Sequence, residues 1–154
     1  VGSRGLGDVY KRQGPGCPNL SERVESGLLS FGGDTDHSTN PFEVRLGDFV
    51  DLHLDGDIVG LSALKKIHEQ GPKRHQLGAI FNNANVCSHP IFEWMSIYHQ
   101  GEPVGSLTNR TWSFQLEKTI GFALVSKKVQ AGESVLIETE QGMKEAELVD
   151  LPFV

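Results

Sequence analysis

Cysteine is scarce in this sequence, long apolar runs are missing, and basic residues fall short of acidic ones. The two cysteines among 154 residues, Cys17 and Cys87, lie far apart with no paired spacing. That excludes a disulfide framework or a thiolate metal set and reads as free thiols in a reducing, cytoplasmic compartment. No run approaches the ~20 apolar residues of a membrane span, so no membrane partner is expected. No secretory signal is visible. Without one, Asn19-Leu20-Ser21 and Asn109-Arg110-Thr111 match the glycosylation pattern only by chance. Lys and Arg number 14 against 20 Asp and Glu, a net charge of −6. Phosphate binding needs a basic surface, so a general nucleic-acid binder is excluded. The chain also lacks a serine on a glycine-flanked elbow and a histidine pair one helical turn apart. It contains no self-sufficient active site.

What is present is ordinary for a globular protein: 38% hydrophobic and 22% charged residues. The length allows one domain, or a small domain with part of another, and is enough to bury a core. Val1 to Gln13 stands apart. It has no apolar periodicity, and its glycines do not fit a nucleotide fingerprint. It reads as a translated sequencing-adapter tract, non-native and without ordered structure, which implies that the true N-terminal part is missing.

Residues 14–46 carry the most information. Pro18 suits the first turn of a short helix, which a short strand and a tight loop follow; Val24, Leu28 and Leu29 are the apolar members of the stretch, and Glu25 lies among them. A carboxylate on a core-bound segment needs a partner. Glu25 either pairs with Arg23 or a backbone donor, or faces a pocket and accepts N–H groups of a ligand. Residues 32–40 are rich in Gly, Asp, Ser, Thr and Asn and turn; His37 there reads as solvent-facing. A short helix or helical turn follows from Glu43 to Asp51.

Asp51-Leu52-His53-Leu54-Asp55-Gly56-Asp57 begins like a calcium loop. It fails at position three, His53, and at position twelve, Ser62, so no metal site is expected. Leu61 to Gln70 is the best helix, with Leu61, Ala63, Leu64 and Ile67 on one face and Lys65, Lys66 and His68 elsewhere. Gly71-Pro72 stops it. Short strands then follow: Arg74 to Phe81, a segment from Ile91 to Tyr98, Val104 to Phe114 broken at Gly105, the apolar run Ile120 to Val125, and a hairpin of 135–139 and 144–149. Strands at this spacing without helices between them predict a small antiparallel barrel or sandwich.

Three blocks resemble one family. Arg23-Val24-Glu25-Ser26-Gly27-Leu28, Phe31-Gly32-Gly33-Asp34 and Asn40-Pro41-Phe42-Glu43-Val44-Arg45-Leu46 resemble, in order and spacing, the end of the folate-binding region of aminomethyltransferases (glycine-cleavage T-proteins). Ile58-Val59-Gly60-Leu61-Ser62-Ala63-Leu64, Gly105-Ser106-Leu107-Thr108-Asn109-Arg110, Ile120 to Val125 and Pro152-Phe153 are similar to later motifs of the same family. The Gly-Cys-Pro-Asn lead-in and the Asn-Pro-Phe-Glu form look closest to the dimethylsulfoniopropionate demethylase branch.

The resemblance implies an α+β fragment. Residues 14–57 would be the remnant of a folate-binding domain, and 58–154 a helix plus a small antiparallel β-barrel. It implies tetrahydrofolate as cofactor, with Glu25, Arg23, Phe31 and Trp112 toward it, and a small methyl donor, sulfonium or aminomethyl. It implies a catalytic aspartate in a missing N-terminal domain of the same chain, so that no catalytic residue stands here and the isolated fragment is inactive. Phe31 replaces the family's tyrosine and loses its hydroxyl. An arginine that many members carry near Leu52–Leu54 has no counterpart, which points away from the glycine-cleavage branch. Arg110 is a second barrel residue to follow beside Trp112. A reading of another class is a non-catalytic folate-binding or interaction module, as in folate-dependent iron–sulfur repair proteins, whose cysteine signature is not found here.

Overall fold

A computed structural model describes residues 19–82 and 94–154. Residues 1–13, Pro18, both cysteines and the segment 83–93 lie outside the described residues, and with them the adapter-like tract and the start of the Ile91–Tyr98 segment.

Helix α1 spans Leu20–Glu25 and α2 spans Leu61–Gln70. Seven strands are described: β1 Arg74–Phe81, β2 Met95–His99, β3 Glu102–Leu107, β4 Thr111–Ser113, β5 Lys118–Ser126, β6 Ser134–Thr139 and β7 Gly142–Val149. All pairings between them are antiparallel, in the order β1-β7-β6-β2-β3-β5-β4, and β1 also pairs with β5. That last pairing closes six strands into a barrel, the small antiparallel barrel expected, and leaves no free edge around the ring. β3 and β4 run one after the other along the same edge of β5.

The strands fold this way because their alternation matches the wall. Leu77, Ala79 and Phe81 of β1, Ile97, Leu107, Ala123, Val125, Val135, Ile137, Ala146 and Leu148 point inward and form the barrel core. The run Ile120–Val125 is apolar at every position because both its faces are covered. Ala123 and Val125 face the barrel interior, while Ile120 and Phe122 face outward onto Val24 and Leu151. This second cluster fastens the N-terminal layer to the outside of the barrel, with Leu29, Ile80, Leu116 and Phe153 packed against it.

One local expectation changes. Gly105 does not break the strand; it lies inside β3, where a Cβ would stand 2.2 Å from the Leu124 carbonyl oxygen. The break falls at residues 108–110. The short helix or helical turn expected after Glu43 is a single 3-10 turn, Gly47–Phe49, preceded by turns. Helix α2 has the predicted bounds and stops at Gly71, but its apolar face is only half-buried.

Candidate functional site

Asn19 starts α1 through a capping box. Its side chain accepts from Glu22 N at 2.9 Å, and its own N–H donates to Glu22 Oε2 at 3.0 Å. Gly27, at φ +76°, ends the helix in the left-handed conformation that a residue with a Cβ resists. Leu28 and Leu29 lie beyond α1, where the short strand expected after the helix is reduced to a single bridge, Phe31 to Thr35, and Leu28 is exposed.

The helix lies against β4. Ser21 and Glu25, one turn apart, share a face that meets Thr111 and Ser113, which share a face of the strand. Ser21 Oγ donates to the Trp112 carbonyl at 2.8 Å and touches Thr111 Oγ1 at 3.1 Å. Ser113 Oγ donates to Glu25 Oε1 at 2.5 Å and accepts from Leu116 N at 3.0 Å. The Glu25 backbone carbonyl accepts from Phe153 N at 3.1 Å. Glu25 is half-buried. Its Oε2 has no protein donor among the described residues.

Arg23 is not the partner of Glu25. Its position, two residues earlier, faces away, and Arg23 Nη1 donates to Asp34 Oδ2 at 2.5 Å and to the Leu28 carbonyl at 2.7 Å. Its guanidinium lies over the Phe122 ring, 5.9 Å from the centroid. Asp34 is buried and also accepts from Ser30 N at 2.8 Å and Thr108 Oγ1 at 3.5 Å. This network pins the loop 28–35 to the barrel wall.

The other candidates lie apart. Phe31 is 71% exposed, its ring edge-on to His37 at 5.3 Å. Trp112 alternates to the face of β4 opposite Ser113. Arg110 is buried, with bonds to Glu140 at 2.9 and 3.2 Å and a contact to Met95 Sδ at 3.5 Å. In the acidic turn, Asp51 accepts from His53 N at 2.8 Å, which closes the turn locally. Among the described residues no group of three or more His, Cys, Asp or Glu is placed to hold a metal.

Two adjoining clefts open beside the site. One, of about 440 Å³, runs between Ser26–Leu29, Val44–Leu46, Gln76 and Leu151–Pro152. The other, of about 350 Å³, shares Leu29, Val44 and Leu46 and extends to Phe31 and Asp36. The Glu25 carboxylate lines neither; its chain neighbours Ser26 and Gly27 line the first. Two residues of this site escaped the sequence reading, Ser113 and the ion-pairing role of Asp34. The signal for Ser113 was Thr111 and Ser113 alternating around Trp112, a polar strand face that must meet polar groups.

Comparison with known proteins agrees with this architecture. The likeness to the Bartonella henselae glycine cleavage system aminomethyltransferase T has a TM-score of 0.77 at 20% identity, over 96% of this chain and 43% of that one, and is a likeness of fold. The aminomethyltransferase of Synechococcus sp. (strain CC9902) is 32% identical over 132 residues, 85% of this chain and 35% of that protein. That of Thermosipho melanesiensis is 31% identical over 131 residues, 85% and 34% of the two. The chain thus spans about a third of the length of the curated relatives it matches. Residues 83–154 match the glycine cleavage T-protein C-terminal barrel domain, and through it this barrel is related to the aminomethyltransferases.

Proposed function

We propose that the chain forms the C-terminal part of a tetrahydrofolate-dependent aminomethyltransferase, with Glu25 holding the pterin ring. One observation carries this: Glu25 is half-buried at the junction of helix and barrel, held by Ser113 through one oxygen while the other has no protein partner among the described residues. A pterin presents adjacent N–H donors, and an ionised carboxylate accepts two at once. The residues therefore fit the group. Bound tetrahydrofolate supplies the nitrogen that accepts the one-carbon unit. The chain's own residues bind and orient: Glu25 takes the ring N–H groups, and Arg23, tied to Asp34, keeps the loop after the helix in place. Phe31 and Trp112, which lie apart from Glu25, are given no contact with the ring. The acid–base group and the donor pocket belong to the rest of the parent protein, within a reducing cytoplasm that suits Cys17 and Cys87 as thiols.

The relatives named aminomethyltransferase favour an aminomethyl donor. A second reading, demethylation of a small sulfonium such as dimethylsulfoniopropionate, draws on the Gly16-Cys17-Pro18-Asn19 lead-in and on the Asn40-Pro41-Phe42-Glu43 form.

Heteronuclear NMR titration of the 154-residue chain with 5-formyltetrahydrofolate tests the assignment. With only part of the site present, the expected affinity is on the order of 1 mM, about −4 kcal/mol. Shifts should centre on Glu25, Ser113 and Leu116, and Glu25→Ala should weaken the binding about tenfold. Shifts elsewhere, or unchanged binding by E25A, would refute the role of Glu25.

A further inference from the structure

We infer that Ser113, a barrel residue distant in sequence, is the positioning residue that sets the Glu25 carboxylate for its ligand. Its role presupposes the folate role of Glu25 given above. Ser113 is fully buried. A hydroxyl carries one proton and two lone pairs. One lone pair takes the Leu116 N–H at 3.0 Å, so the proton is free to point at Glu25 Oε1, 2.5 Å away. That distance is in the range of hydrogen bonds to a charged acceptor.

The anchor is rigid because the register of β4 on β5 pairs Ser113 with Lys118. The turn between them, with Glu117 at φ +51°, brings Leu116 N back onto Ser113. Leu116 itself packs against the cluster of Val24, Ile120, Phe122 and Leu151. The line runs from barrel wall to Leu116 amide, to Ser113 hydroxyl, to carboxylate. The plane of Glu25 is thereby set before a ligand arrives. Oε2 and the second lone pair of Oε1 stay open as a fork for two N–H donors.

A carboxylate with one fewer bond would sample more rotamers, and binding would have to freeze them. Ser113→Ala should therefore weaken 5-formyltetrahydrofolate binding by about five- to tenfold. A merely structural role gives the same loss whether or not Glu25 is present, so the decisive measurement is a double-mutant cycle on the 154-residue chain. Dissociation constants are taken by NMR titration for the wild type, S113A, E25A and the pair. If Ser113 acts through Glu25, S113A costs nothing further in the E25A background. Ser113→Cys, near in volume and a weaker donor, repeats the cycle should S113A disturb the fold, and should fall between wild type and S113A. Without any ligand, E25A should move the Leu116 amide resonance through the relay. Loss by E25A with no loss by S113A, or additive losses, overturns the positioning role and leaves the folate role standing. Binding unaffected by E25A overturns the folate role and the positioning role with it. A Leu116 amide indifferent to E25A overturns the relay alone.

Discussion

Arg23 Nη1 lies 2.5 Å from Asp34 Oδ2, with the Asp34 side chain fully buried and that of Arg23 18% exposed. An ion pair at this depth is costly to leave half-made, because the surviving charge has no water. Arg23→Met should destabilise the chain by about 3 kcal/mol in urea titration. The double change R23M with Asp34→Asn should recover part of that, since no charge is then stranded. Glu25→Ala serves as the control: it breaks no buried pair and should cost about 1 kcal/mol, the worth of one hydrogen bond. Equal losses for R23M and E25A would show that the network does not pin the loop.

A second pair ties the N-terminal layer to strand β1. Arg74 donates to Glu43 through Nε at 3.1 Å and Nη2 at 2.9 Å, and to the Ser38 carbonyl at 3.1 Å. The Glu43 side chain is nearly buried and that of Arg74 a third exposed. Hydrogen bonding to Glu43 raises the Arg74 pKa, and burial opposes it. A raised folded value gives stability that is complete below the unfolded pKa and lost only as pH climbs through the folded one. The pair should thus hold unchanged through neutral and mildly alkaline solution. Arg74→Met should cost about 1–2 kcal/mol after allowance for its exposure. That loss should be the same at pH 6 and pH 9 in thermal melts; a loss that fades by pH 9 would assign it to another group.

How far the sequence foretold this arrangement depended on how local each cause was. Helix α2 announced itself because its spacing and its Gly71-Pro72 stop are adjacent in the chain. Strand β5 did so because burial on both faces leaves an unbroken apolar run. The partner of Glu25 was hidden for the opposite reason: Ser113 stands 88 residues away, and only the docking of α1 on the outside of the barrel brings the two together. The nearest cation, Arg23, was the natural guess, and helix geometry turns it to the other side. The end of β3 was misplaced because a glycine inside a strand and a glycine that ends one look alike without the neighbouring backbone.

That neighbouring backbone makes Gly105 a sharp test of the barrel. A Cβ there would meet the Leu124 carbonyl oxygen at 2.2 Å and Val125 Cα at 2.7 Å, main-chain atoms of the paired strand that have no rotamer to escape into. Gly105→Ala should cost about 3 kcal/mol or more, at the upper end for overpacking. Gly132→Ala, where no atom lies within 4 Å but φ is +89°, should cost only the backbone term, about 1 kcal/mol. Urea titration of both variants reads the difference, and a mild G105A would mean that β3 and β5 are further apart than described.

The turn after Asp34 gives an acid-dependent effect. Asp36 Oδ1 accepts from Ser38 N at 2.8 Å, Ser38 Oγ at 2.7 Å and Thr39 Oγ1 at 3.1 Å. The Ser38 side-chain bond, then the Ser38 backbone bond, lower its pKa below the usual 3.8, against a smaller effect of burial. With the folded value depressed, the stabilisation is complete above the unfolded pKa and lost as pH falls through the folded one. Asp36→Ala should therefore lower Tm at pH 6, and the gap to the wild type should close progressively as pH drops below about 4. The carboxylate is fully exposed, so the gap at pH 6 should be small, and it should narrow little with added salt because short hydrogen bonds, not distant charges, produce it. A gap that widens on acidification would reverse the sign and show that protonated Asp36 is the form the fold prefers.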